Sequence, residues 1–88
     1  RIEEEKITIK FMHSPYCGFC KRLDPIWNRF IEKYPDKYNY EKIDCTSDKQ
    51  CDNYNISGVP TIIKIKNNET IDRKVGYDEY DNIERFLL

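Results

Sequence analysis

Between Ile7 and Tyr34 the apolar residues change their spacing once, and two cysteines stand at the change. Ile7, Ile9 and Phe11 alternate with Thr8, Lys10 and Met12, the period of two of a strand with one well-buried face. His13-Ser14-Pro15-Tyr16 breaks the alternation. From Cys20 onward, Leu23, Ile26, Trp27, Phe30, Ile31 and Tyr34 recur at the spacing of one helix face. Pro35 stops that helix, and Pro25 lies inside it, where it should kink the axis and remove one backbone hydrogen bond. Cys17-Gly18-Phe19-Cys20 therefore sits where a strand ends and a helix begins.

The rest of the chain continues in short elements. A second strand is expected over Tyr38 to Asp44 and a short polar helix within Ser47 to Tyr54. Thr61 to Lys66 reads as a third strand and Thr70 to Val75 as a fourth. Asn67-Asn68 forms the turn between them, because Asn tolerates positive φ. Tyr80, Ile83, Phe86 and Leu87 place a last helix between Asp78 and Leu88, with Asp78 as its N-cap. The order is β-α-β-α-β-β-α, an α/β fold in one domain over residues 1–88. A chain of this length buries only roughly 60–65% of its unfolded surface. Seven Tyr, four Phe and Trp27 supply the large apolar side chains for its core.

Charge narrows the partners. Fifteen Lys and Arg against sixteen Asp and Glu leave a net charge of −1, so no broad basic surface is implied and neither nucleic acid nor anionic membrane is expected as a partner. No stretch approaches the roughly 20 apolar residues of a membrane span. Glu3-Glu4-Glu5 reads as a solvated segment.

The cysteine pair carries the chemistry. Residues i and i+3 of a first helical turn lie roughly 5–6 Å apart, within reach of a disulfide. The helix N-terminus offers unpaired N–H groups and a partial positive charge, which favour a thiolate at its first position. Cys17 would then attack a substrate disulfide, and Cys20 would displace the product from the mixed disulfide. A Cys-x-x-Cys pair is also half of a zinc site, and four cysteines allow a Cys₄ centre with Cys45 and Cys51. The six-residue separation of that second pair is, however, wider than usual ligand spacing. No metal and no cofactor is expected.

Phe11-Met12-His13-Ser14-Pro15-Tyr16-Cys17-Gly18-Phe19-Cys20-Lys21, with Pro25 five residues after Cys20, resembles the active-site strand, turn and kinked helix of the thioredoxin superfamily. Gly58-Val59-Pro60-Thr61 resembles the loop that holds the family's cis-proline, and Asn67-Asn68-Glu69 followed by Lys74-Val75-Gly76 resembles its hairpin and closing glycine. The resemblance runs from about Ile7 to Leu88 and is nearest to domains of the protein disulfide isomerase type. It implies a near-minimal thioredoxin-like α/β fold with a central mixed four-stranded sheet, lacking the family's first β-α unit, and a thiol–disulfide oxidoreductase acting on protein thiols and disulfides with a further, unidentified redox partner. The chain reads as a monomer. It also implies a substrate groove of Tyr16, Val59, Pro60 and Gly76. Each has a plainer reading: Tyr16 as a half-buried packing residue, Pro60 as a strand-entry proline, Gly76 as a turn glycine.

The sequence departs from the family pattern in two places. The buried acid expected six residues before the first cysteine is Phe11 here, although Lys42 stands where the acid's lysine partner belongs. Proton transfer to and from Cys20 is then left to His13, which titrates near neutrality, or to Lys42, both of which also read as ordinary surface residues. Phe19 stands where an isomerase has a His, so the couple should be less oxidising. Asp44-Cys45-Thr46 and Cys51-Asp52-Asn53-Tyr54 resemble isomerase-type domains in which such a pair forms a non-catalytic disulfide; two buried free thiols are the alternative. The pair favours an oxidising compartment, such as the endoplasmic reticulum lumen, over the cytoplasm. The competing functional class is a peptide-binding module of the same fold with weak redox activity.

Overall fold

The computed structural model describes residues 6–88, so the Glu3–Glu5 run lies outside the described residues. The elements are β1 (Thr8–His13), α1 (Gly18–Lys33), β2 (Asn39–Asp44), α2 (Gln50–Asn53), β3 (Thr61–Lys66), β4 (Glu69–Val75) and α3 (Tyr80–Leu87). They make one four-stranded mixed sheet in the order β2-β1-β3-β4. β1 lies parallel to β2, with Phe11 opposite Lys42, and antiparallel to β3, with Phe11 opposite Ile62. β3 and β4 form a hairpin. This is the architecture of a near-minimal thioredoxin-like fold.

Alternation along β1 explains how the sheet is clothed. Ile9 and Phe11 join Leu23, Trp27 and Phe30 of α1 and Ile83 and Leu87 of α3 in the larger core. Met12 points the other way, into a smaller cluster with Ile43, Cys51, Ile63 and Ile65, beneath α2. The single buried face expected of β1 is thus a correction: Met12 is as fully buried as Phe11. Aromatic rings fill the larger core. Phe11 meets Trp27 at 5.3 Å between centroids, and Phe30 packs against Tyr34, Tyr38 and Tyr40. The Tyr38 hydroxyl donates to the Leu87 carbonyl at 2.5 Å, so the ring is buried without orphaning its oxygen. Glu84 of α3 accepts from Lys33 Nζ at 2.8 Å and from the Tyr34 hydroxyl at 2.9 Å, fastening the last turn of α1 to α3.

Local sequence sets the element ends. α1 runs unbroken through Pro25; the proline has no N–H to give the Lys21 carbonyl, and both residues are exposed, so water can take that place. Tyr34 caps the helix by donating its N–H to the Phe30 carbonyl at 2.9 Å, one residue before Pro35. Asn67 and Asn68 both take positive φ (55° and 67°), the mirror-image turn whose twist matches a hairpin. Beyond it β4 carries one extra residue, Ile71, at a bulge opposite Lys64/Ile65. The N-cap of α3 is Glu79 rather than Asp78. Asp78 still closes the helix start from one position earlier, accepting from the Glu79 N–H and the Asn82 side-chain amide, each at 2.8 Å.

Two isoleucines on the hairpin separate packing from propensity. Ile63 is fully buried and Ile71 is 49% exposed. Ile63→Val should cost about 1 kcal/mol of unfolding free energy in urea titration and Ile71→Val less than about 0.5 kcal/mol. Equal losses at the two positions would contradict this division of the sheet.

Candidate functional site

The site begins at the joint between β1 and α1. His13 ends the strand, Ser14 to Tyr16 turn the chain, and the Cys17 N–H closes the turn on the Ser14 carbonyl at 3.2 Å. Cys17 is the N-cap of α1: its backbone is extended, and its Sγ accepts the Cys20 N–H at 3.1 Å. A thiol sulfur thus occupies the position that a Ser or Asp oxygen usually takes at a helix start. The N–H groups there point at any negative charge the sulfur acquires. The helix therefore starts at Gly18, two residues earlier than its apolar periodicity.

The same turn makes the two cysteines unequal. Cys17 is partly exposed, whereas Cys20 is buried, with 4% of its surface accessible. Burial, with the hydrogen bond to Cys17 second, pushes the Cys20 thiol up to about 11. Across from the pair, the Val59–Pro60 peptide is cis and Pro60 is buried. Cys17 Sγ lies 3.7 Å from the Val59 carbonyl oxygen. The Thr61 hydroxyl donates to the Gly58 carbonyl at 2.7 Å and the Gly76 N–H donates to the Pro60 carbonyl at 2.8 Å, so the loop is held from both sides. Gly76 has a φ of +94°, and a Cβ built there meets nothing within 4 Å. The glycine is required by backbone conformation rather than by a close neighbour.

Tyr16 is 88% exposed, which rules out the half-buried packing reading. Phe19 is 56% exposed and leans toward Tyr77, with the Arg22 guanidinium over both rings. With Val75, 60% exposed, the surroundings of Cys17 present apolar and aromatic side chains to solvent. The Phe19–Arg22–Tyr77 group escaped the sequence reading, because Tyr77 lies 55 residues beyond Arg22 and only the fold brings it to α1.

Behind Cys20 lies a cavity of about 240 Å³, lined among others by Phe11, His13, Cys20, Asp24 and Lys42. His13 and Lys42 are therefore brought together with Cys20. Lys42 is not simply a solvated strand residue: its Nζ lies 2.5 Å from Asp24 Oδ1. Burial, then Lys42, lowers the pKa of His13, with Asp44 and Asp24 pulling the other way. Asp24 was also missed by sequence reasoning, because its partner Lys42 stands eighteen residues further on, in another element. Cys45 and Cys51 are joined in a disulfide that ties the end of β2 to α2, with Cys51 Sγ 3.8 Å from Met12 Sδ. Two of the four cysteines are thus bonded to one another, and among the described residues no three His, Cys, Asp or Glu are grouped to hold a metal ion. No described helix is long and apolar enough to cross a membrane.

Comparison with known proteins agrees with this architecture. The thioredoxin family model matches residues 1–88. Mitochondrial thioredoxin of Mus musculus is 34% identical over 87 residues, covering 96% of this chain and 51% of the mouse protein. Protein disulfide-isomerase 1 of Caenorhabditis elegans is 31% identical over 86 residues, covering 96% of this chain and 17% of its own length. Thioredoxin of Bacillus subtilis is 23% identical over 84 residues, covering 94% and 81%. The chain spans about half the length of the mammalian mitochondrial thioredoxins it matches. From strand–turn–helix joint to cis-proline loop, sequence match and fold agree: this chain belongs to the thioredoxin family.

Proposed function

We propose that this chain is a thiol–disulfide oxidoreductase that exchanges disulfides with protein substrates through Cys17 and Cys20, acting as a single domain. The observation that supports this most is the hydrogen bond from the Cys20 N–H to Cys17 Sγ at the N-cap of α1, with one sulfur reachable and the other enclosed. Reduction of a substrate starts with Cys17 as thiolate attacking one sulfur of its disulfide. The Cys17–substrate bond forms, the substrate disulfide breaks, and the first substrate thiolate leaves. Cys20 then loses its proton and attacks Cys17 Sγ, releasing the second substrate thiolate and leaving Cys17 and Cys20 joined. Oxidation of a substrate dithiol runs the same steps backwards, and a second protein dithiol or disulfide resets the pair.

Tyr16, Val59, Pro60 and Gly76 are the proposed groove. An extended substrate peptide laid beside the Val59–Pro60 loop would meet backbone groups there and rest on the exposed Tyr16 and Val75 side chains. The Cys45–Cys51 disulfide is read as non-catalytic. The exposed aromatic surroundings also suit the second reading, a peptide-binding module with weak redox activity.

Cysteine variants separate the two readings. The native protein should accelerate the reduction of insulin by dithiothreitol. Cys17→Ser should return the rate to the uncatalysed level, and Cys20→Ser should accumulate a mixed disulfide at Cys17 visible by mass spectrometry. Undiminished activity in Cys17→Ser would contradict the proposal, and peptide binding without any acceleration by the native protein would favour the module. A second expectation concerns Phe19. It offers no charge to the pair, and an imidazolium there would stabilise the Cys17 thiolate. Phe19→His should raise the reduction potential by about 30 mV, a tenfold change in the equilibrium constant of a two-electron couple, measured by equilibration with glutathione. A fall in potential would contradict this view of Phe19.

A further inference from the structure

The exchange proposed above needs Cys20 to give up a proton, and the enclosed position of its thiol resists that. The family's acid would answer the need from position 11, but that position holds the fully buried ring of Phe11. The lysine that would partner the acid is nevertheless in place. Lys42 lies opposite Phe11 in the β1–β2 register, with its Nζ 5.9 Å from the centre of the Phe11 ring. It turns instead to Asp24, at 2.5 Å. Asp24 follows Cys20 by one turn on the same face of α1, and both side chains line the cavity behind the cysteines. At about 240 Å³ that cavity has room for several waters, each taking roughly 30 Å³. The strand acid has gone, and a helix acid bound to the same lysine borders the same cavity.

We propose that Asp24, held in place by Lys42, accepts the Cys20 proton through water in this cavity when the mixed disulfide is resolved. The proposal rests on the oxidoreductase reading of Cys17 and Cys20. The Cys20 S–H proton passes through water to the Asp24 carboxylate. The electron pair left on Cys20 Sγ forms the bond to Cys17 Sγ, and the pair of the breaking Cys17–substrate bond departs on the substrate thiolate. Asp24, with 37% of its side chain exposed, returns the proton to solvent. The substrate disulfide is reduced and the cysteine pair is oxidised, with no further reactant.

The other charged or titratable groups around the cavity are His13 of β1, Lys42 and Asp44 of β2, and Lys21 and Cys17 at the start of α1. Lys42 pairs with Asp24, and Lys21 lines the same cavity. His13 borders the same cavity and, with its pKa held down by burial and Lys42, is the rival acceptor.

The test separates the two halves of the exchange. Reduced protein is mixed in a stopped-flow instrument with 5,5′-dithiobis(2-nitrobenzoate). The first release of nitrothiobenzoate reports attack by Cys17, and the second reports closure by Cys20. In Asp24→Asn the first phase should stay within about twofold of wild type and the second should slow by roughly a hundredfold at neutral pH, recovering as hydroxide takes over at higher pH. Asp24→Glu should restore the second phase to within about tenfold of wild type. A second phase unchanged in Asp24→Asn, an equal slowing of both phases, or a slowed second phase in His13→Gln alone would overturn the assignment. A wild-type protein with no second phase at all would remove the oxidoreductase reading itself, and the role of Asp24 with it.

Discussion

One hydrogen bond fixes how this molecule is arranged around its cysteines: the Cys20 N–H donating to Cys17 Sγ at the first turn of α1. It satisfies a helix N–H that would otherwise lack a partner, and it does so with a sulfur instead of an oxygen. The bond requires Cys17 to be extended and Cys20 to be helical, so it sets the joint at which strand becomes helix. From that joint follow the exposure of one thiol, the burial of the other, and the placing of Cys17 Sγ against the Val59 carbonyl. The same feature that starts the helix thus sets up an asymmetric pair.

The sheet supports that joint from beneath. β1 is paired on both sides, so its last residues are fixed by β2 and β3 together. Phe11 and Trp27 pack the strand against α1 just before and just after the cysteines. An apolar ring at position 11 strengthens that packing and removes the place for a buried acid. The ion pair of Lys42 with Asp24 is half exposed, and such pairs add little to stability, which makes a purely structural explanation of it weak. Its position behind Cys20 is the more informative property.

Much of this was legible in the sequence, for physical reasons that differ by element. The alternation in β1 and the 3.6 period in α1 report burial directly, and Asn67-Asn68 and Gly76 report backbone conformations that few other residues accept. The cis-proline loop came from family resemblance rather than from periodicity. The sequence misled where local chemistry competes with tertiary context. Met12 is polar-side by alternation, yet α2 and the Cys45–Cys51 disulfide cover it. Asp78 suits an N-cap, yet the helix starts after Glu79. Asp24 and Lys42 lie eighteen residues apart, and only the packing of α1 across β2 brings them together. No local pattern announces such a pair.

The chemistry of the pair depends on the inequality of two thiols one helical turn apart. Alkylation of the fully reduced, folded protein by iodoacetamide, followed at each cysteine by mass spectrometry across a pH series, measures that inequality directly. Cys17 should be modified first at every pH, and Cys20 should stay protected until the pH approaches about 11. Equal rates at Cys17 and Cys20 near neutral pH, in protein that remains folded, would contradict it.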